Sequence, residues 1–376
     1  MPDSKPESGS KIVNITIVLS IAIAYAVIAY AVDKFSGSAG PGQWLNQNKI
    51  MQEHRVELRE KVERDPHFKN VDREAYIREM EQIITMKQKR NLGNWVSYKS
   101  FTPNVRGQYV HTNDFGMRSG LSLREMAEKA RANNQKGIRN VLLLGGSVAF
   151  GYGSTDDQQT ISGFMNELLK GEKFEVFNLA QGGFNSYMDL FSLSAIGWQL
   201  EPDIIIAMEG YADVYHLAYE SKGGNLAWGL WSGIEQEKKP EFALDFQYHN
   251  LEAICKLGTG PERQVILALQ PLSGFENDSK VENEKINKMW GYYPKIRTLF
   301  ETVSKNNNAH FVDLSPLFKD ESRADINFFD KAHLTVTGQK KVAQALATAV
   351  IEAGSRNESS ETAFTQRQKI IADILQ

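Results

Sequence analysis

The stretch Asn140-Val-Leu-Leu-Leu-Gly-Gly-Ser-Val-Ala-Phe-Gly-Tyr-Gly153 constrains this chain more than any other. Its apolar run, Val141 to Leu144, is too short for a helix and is bounded by Gly145 and Gly146. That pattern predicts a buried parallel strand closed by a tight turn. Ser147 sits on the turn, and Ile161, Phe164, Met165, Leu168 and Leu169 follow at helical spacing. A serine between a parallel strand and a helix lies where open α/β sheets place ligands, beside N–H groups that stabilise an anion. A serine there is equally at home as a helix N-cap, and the segment alone does not separate the two readings.

The far end of the chain supplies partners. Asp330-Lys-Ala-His-Leu-Thr-Val-Thr-Gly338 sets a carboxylate three residues before a histidine, ahead of Val342, Ala345, Leu346, Ala349 and Val350 at helical spacing. A serine hydroxyl needs a base to act as a nucleophile at neutral pH, and the base needs a group that holds its tautomer. Ser147, His333 and Asp330 provide all three.

Their chain order and the Asp-x-x-His spacing resemble the SGNH hydrolases, also called the GDSL family, from Val110 to Val350. Gly145-Gly146-Ser147 resembles the nucleophile block, with Gly146 where an Asp often stands. Asn178-Leu-Ala-Gln-Gly-Gly-Phe-Asn-Ser186 is similar to the second block, which implies an oxyanion hole made by the N–H groups of Ser147 and Gly183. The third block, usually Gly-x-Asn-Asp, reads Gly210-Tyr211-Ala212-Asp213, so the side-chain amide donor is missing. Losing one such donor costs about 10²- to 10³-fold in rate. The departure leaves a slower enzyme, a replacement donor from Asn185 or Tyr211, or a site that no longer turns over.

Asp213 and Arg118 complete the candidate substrate-site residues. Arg118 ends the segment Tyr109-Val-His-Thr-Asn-Asp-Phe-Gly-Met-Arg118, which is similar to a segment ahead of the nucleophile in membrane-anchored SGNH proteins. A lone arginine also reads as half of a structural ion pair. Gln270-Pro271 resembles the fourth block, and a strand stopped by proline explains it as well.

A formal net charge of −3 and the lack of paired cysteines give no footprint for nucleic acid. The single cysteine, Cys255, excludes an intrachain disulfide and does not discriminate between compartments. His216, His249 and His310 show no metal-ligand spacing, so neither a metal nor another cofactor is expected. Compartment comes from residues Ile12 to Val32, an uncharged run of 21 residues. At about 1.5 Å per residue it matches a ~30 Å hydrocarbon core. It exceeds the roughly 7 to 15 residues of a signal h-region, which favours a retained membrane helix over a cleaved one. Lys5 and Lys11 before it balance Lys34 and Lys49 after it, so orientation rests on the resemblance, which implies a catalytic domain outside the cytoplasmic membrane.

Strands fit Val141 to Leu144, Val176 to Leu179, Ile204 to Met208, Val265 to Leu269 and His310 to Leu314, with helical segments between them, as a parallel sheet requires. The fold class expected is α/β, and the resemblance implies a flavodoxin-like three-layer sandwich. The organisation expected is a tail (1–11), a transmembrane helix (12–32), a membrane-proximal helical and extended region (33–135), the hydrolase-like domain (136–354) and a polar tail (355–376). Within the membrane-proximal region, charged helical patterns cover 44–64 and 72–90, with a narrow apolar stripe of Ile77, Met80, Ile83 and Ile84. They read as solvated helices that pack by one edge or space the domain from the bilayer, or as a protein-binding hairpin over 44–90. Tyr215, His216, Tyr219, Trp228 and Trp231 mark a glycine-broken flap whose aromatics cover substrate or simply pack. The resemblance thus implies a membrane-anchored serine esterase acting on ester or acetyl groups of a cell-surface glycan or lipid. An O-acetyltransferase of exopolysaccharide and a non-catalytic envelope binding or assembly protein are the alternatives.

Overall fold

The computed structural model describes residues 52, 55–85, 88–91, 97–210, 212–215, 240–273, 284–319 and 324–357. The chain divides into two compact units, Met1–Glu60 and Lys61–Gln376. In the first, 55–60 are helical. The expected membrane helix at 12–32 lies outside the described residues, as does the expected polar tail (355–376) beyond 357, its first three residues being helical instead. Among those described, no helix is long and apolar enough to cross a membrane.

The second unit is built on five parallel strands, β1 (Arg139–Gly145), β2 (Phe174–Asn178), β3 (Ile204–Glu209), β4 (Gln264–Leu269) and β5 (His310–Asp313). Their order across the sheet is β2-β1-β3-β4-β5, the doubly wound arrangement of flavodoxin-like folds. Each expected strand coincides with one of these, with ends moved by a few residues. The strands read as continuous apolar runs because both faces are covered, and Val141 to Leu144, Ile204 to Met208 and Val265 to Leu269 are all inaccessible to solvent.

Side chains alternate between the two faces. Leu142, Leu144, Ile205, Ala207, Val265 and Leu267 point into one core with residues of α2 (Leu123–Gln135), α5 (Ser186–Ala195), α6 (Pro240–Gly258) and α7 (Glu284–Asn306). Against the other face lie α4 (Ile161–Leu168) and α8 (Val336–Asn357), which pack on each other and border β2, β3 and β5. A fully buried Leu or Ile contributes roughly 1.5 to 3 kcal/mol, so this double layer makes the sheet a rigid platform for whatever its carboxyl edge carries.

Residues 61–135 belong to the same compact unit, so the division expected between 135 and 136 falls inside it. The second charged pattern is helical only over α1 (Arg73–Thr85), and Gln88–Asn91 then pairs antiparallel with Ser97–Ser100. Nor is α1 merely an edge-packed solvated helix: Tyr76, Ile77, Met80 and Ile83 are buried. Phe68, in the single turn Pro66–Asn70, packs against Tyr76 with ring centroids 4.8 Å apart and against Phe329 at 5.8 Å. Glu79 on α1 accepts N–H groups from Gln108, Tyr109 and Val110, tying the helix to the extended segment ahead of the sheet. Two aromatic anchors and one carboxylate outweigh the charge that made these helices look solvated.

Candidate active site

β1 runs into the turn at Gly145, where φ is +147° and a Cβ would stand 2.5 Å from the Met208 carbonyl oxygen. Only glycine lets the strand stay in register with β3 and still reverse there. Ser147 is the first residue of the short helix α3 (Ser147–Phe150), and the N-cap is Gly146, which makes no side-chain cap. That decides between the two readings of the serine. Its hydroxyl is not spent on capping, and Ser147 Oγ lies 2.7 Å from His333 Nε2.

His333 comes from a tight hairpin ahead of α8, in which Phe328 bridges Leu334 and the Phe329 N–H donates to the His333 carbonyl at 2.8 Å. Its Nδ1 lies 2.7 Å from Asp330 Oδ2, while Asp330 Oδ1 accepts the backbone N–H groups of Ala332 at 2.9 Å and His333 at 2.8 Å. A carboxylate only accepts, so Nδ1 carries the proton and the neutral ring presents an acceptor at Nε2 to the serine hydroxyl. Burial works to raise the Asp330 pKa, but the neighbouring His333 and the Lys61 ammonium outweigh it and hold the carboxyl well below its usual range. Tyr152, in the loop after α3, lies against the imidazole with ring centroids 4.4 Å apart.

The second loop at this edge follows β2. Asn178 Nδ2 donates to the Ala149 carbonyl at 3.0 Å and to Ser162 Oγ at 3.2 Å, joining the strand end to the nucleophile helix. The Gln181 N–H donates to the Gly145 carbonyl at 3.0 Å, and Gly183 adopts φ +77°. A Cβ on Gly146 would lie 3.3 Å from the Phe184 carbonyl oxygen, so this loop sits directly against the nucleophile turn. Gly146 with Ser147 and Gly182 with Gly183 are half-buried while the residues flanking each pair are buried, as a small opening at the sheet edge would leave them. Gln181 also accepts the Phe101 N–H at 3.0 Å and donates to the Phe115 carbonyl at 2.7 Å, so the segment before the sheet braces the same loop.

The remaining expected site residues fare differently. Arg118 is buried and clamps the loop beyond α3: Nη1 donates to the Gly151 carbonyl at 2.6 Å, Nη2 to the Ser154 carbonyl at 3.1 Å, and Nε to Asp157 Oδ1 at 2.7 Å. Its guanidinium is taken up by that loop and by the ion pair with Asp157, as the structural reading expected. Asn185 is the N-cap of α5, accepting the Met188 N–H at 3.3 Å, and Asp213 accepts the Ser186 hydroxyl at 2.7 Å and its N–H at 3.2 Å. Both carboxamide oxygen and carboxylate are therefore occupied in building the start of α5. Ala212 opens a single helical turn, Ala212–Val214. Tyr211 and the flap beyond Tyr215 lie outside the described residues. Among the described residues no group of three His, Cys, Asp or Glu side chains is placed to hold a metal ion.

Three contributors were not singled out from the sequence. Lys61 Nζ donates to Asp330 Oδ2 at 2.7 Å. Beneath the nucleophile turn, Asp189 Oδ1 accepts the Gly145 N–H at 3.0 Å. Glu209 lies against Asp189, and both are buried. Burial pushes Asp189 up to about 7, despite its bond with Glu209, and with the negative charges of Asp189 and Asp213 it holds Glu209 well above the carboxylate range. Among the described residues Asp189 Oδ2 and Glu209 Oε1 have no hydrogen-bond partner, and burial with mutual repulsion favours a protonated carboxyl in the pair. Acids on a helix and at a strand end carry no local signal that they will meet.

Together these elements define an α/β protein with a serine, a histidine and an aspartate hydrogen-bonded in series at the carboxyl edge of a parallel sheet. No family model and no curated protein matches the chain. Solved structures do. It is similar to an acetyl xylan esterase at 20% identity, covering 56% of this chain and 99% of that one, with a TM-score of 0.41. It is also similar to a lipase/acylhydrolase from Enterococcus faecalis at 15% identity, covering 57% and 96%, with a TM-score of 0.41. A GDSL-like lipase from Bacteroides thetaiotaomicron matches at 16% identity, covering 62% and 100%, with a TM-score of 0.39. At these identities the likeness assigns no chemistry to this chain.

Proposed function

We propose that the chain is a serine esterase of the SGNH type. The observation that carries this reading is the unbroken series Ser147 Oγ to His333 Nε2 at 2.7 Å and His333 Nδ1 to Asp330 Oδ2 at 2.7 Å. In the reaction, Ser147 Oγ attacks the ester carbonyl as its proton passes to His333 Nε2, and Asp330 stabilises the imidazolium that forms. The N–H groups of Ser147 and Gly183 receive the oxyanion. His333 then returns the proton to the leaving alkoxide, and water releases the acid by the reverse sequence. Ala212 contributes no amide, so two backbone donors carry the oxyanion and turnover is slower than with three.

The uncharged run at 12–32 supports tethering to a bilayer, while an ester or acetyl group of a cell-surface glycan or lipid as substrate, and a catalytic domain outside the cytoplasmic membrane, rest on the resemblance. Transfer of an acetyl group to a sugar hydroxyl uses the same three side chains and differs only in what displaces the acyl group from Ser147. The test is labelling with a fluorophosphonate and hydrolysis of p-nitrophenyl acetate. Wild type reacts in both assays, and Ser147→Ala in neither. Hydrolysis unchanged in Ser147→Ala would refute the assignment.

A further inference from the structure

The hydrolytic scheme leaves one group at the triad without a task. Lys61 Nζ lies 2.7 Å from Asp330 Oδ2, the same oxygen that accepts from His333 Nδ1. With Oδ1 taken by the N–H groups of Ala332 and His333, the carboxylate has two backbone partners, one imidazole and one ammonium. The two side chains are only 18% and 14% exposed, so solvent screens the pair far less than an ordinary surface salt bridge.

Lys61 is held there by packing, not by chance approach of a long side chain. It lies in the helical residues 61–64, directly ahead of Asp65, which caps the turn Pro66–Asn70 through the His67 N–H at 2.9 Å. Phe68 in that turn is buried against Phe329, the residue before Asp330. One aromatic contact therefore fixes the lysine's backbone and the catalytic hairpin together.

We propose, on the esterase reading above, that Lys61 is a positioning residue of the triad, holding Asp330 toward His333 while taking up part of its charge. A carboxylate that faces imidazole alone stabilises imidazolium strongly and makes the base hard to free of its proton. A second cation on the same oxygen weakens that stabilisation, so the imidazole stays neutral, and able to accept the serine proton, at lower pH. Among the described residues, Tyr152, His67 and Lys331 do not share this role. Tyr152 presents its ring to the imidazole, His67 is bonded to Thr155 Oγ1 at 2.7 Å, and Lys331 is exposed.

The test compares Lys61→Met, which keeps the length of the stem, with Lys61→Arg, which keeps the charge, each in the whole 376-residue chain. The readouts are kcat/KM for p-nitrophenyl acetate against pH and the NMR titration of the His333 ring, assigned by its loss in His333→Asn. Lys61→Met moves the acid limb and the ring titration to higher pH by about one unit. It also lowers the plateau roughly tenfold as Asp330 loosens. Lys61→Arg keeps both midpoints near wild type. A fallen plateau with an unmoved limb and titration would reduce Lys61 to a structural strut, and unchanged behaviour in Lys61→Met would remove it from the site. A wild type that neither hydrolyses nor labels would sink the esterase reading, while the ring titration still decides the lysine's electrostatic role.

Discussion

Arg118 donates through Nη1 to the carbonyl of Gly151 at 2.6 Å, just past the helix that Ser147 opens. The same guanidinium reaches Ser154 and Asp157, so one side chain from the extended segment fixes the whole loop that carries Tyr152 against His333. Arg118→Met would leave the Tyr109, Gly151 and Ser154 carbonyls without this donor and Asp157 with His111 alone, costing roughly 2 to 4 kcal/mol. Chemical denaturation measures it. Arg118→Lys recovers little, because an ammonium does not span the fork.

The Asp330 carboxylate holds the imidazole tautomer. Asp330→Asn presents an amide that can donate to Nδ1, so the ring is turned to the wrong tautomer while the fold is kept. The expected loss in kcat is about 10⁴-fold by steady-state hydrolysis, with a lowered melting temperature by calorimetry because the Lys61 ammonium loses its carboxylate.

In the resemblance of Gly210-Tyr211-Ala212-Asp213 to a Gly-x-Asn-Asp block, Ala212 stands in the asparagine's place. If only the N–H groups of Ser147 and Gly183 receive the oxyanion, Ala212→Asn adds a third donor and raises kcat for p-nitrophenyl acetate by about tenfold or more. KM should change little, since the gain is confined to the transition state.

The Asp189 and Glu209 pair makes stability depend on pH. Both are held above their unfolded values of about 4, Asp189 at about 7, so the fold binds a proton that the unfolded chain has already released. Their contribution is present in full below pH ~4 and is lost as pH rises through 7. Thermal denaturation should therefore show a falling melting temperature from about pH 5 to 8. Asp189→Asn, which can still accept from Gly145 and donate to Glu209, should flatten that fall. Equal slopes in both proteins would show that the pair is not its source.

What the sequence determined was whatever is written in local pattern. The runs at Val141, Ile204 and Val265 could only be buried strands, since few other conformations hide so short an apolar stretch. The Asp-x-x-His spacing likewise put Asp330 and His333 three residues apart, and the hairpin that joins them came from the fold. The triad's third member had to be inferred across 183 residues, from 147 to 330, and was legible only because its turn carries glycines.

The tertiary structure alone decided which distant groups share an oxygen or are buried side by side. Lys61 sits in a run of charge that looks solvated, and nothing near it announces Asp330. Asp189 and Glu209 meet because α5 packs against the strand ends, and the Asp213 carboxylate and the Asn185 carboxamide oxygen, but not its nitrogen, are taken up at the start of that helix. Periodicity reports what a residue does with its neighbours along the chain. Pairing between side chains far apart depends on how elements pack, and long polar side chains fit too many partners for one sequence to choose among them.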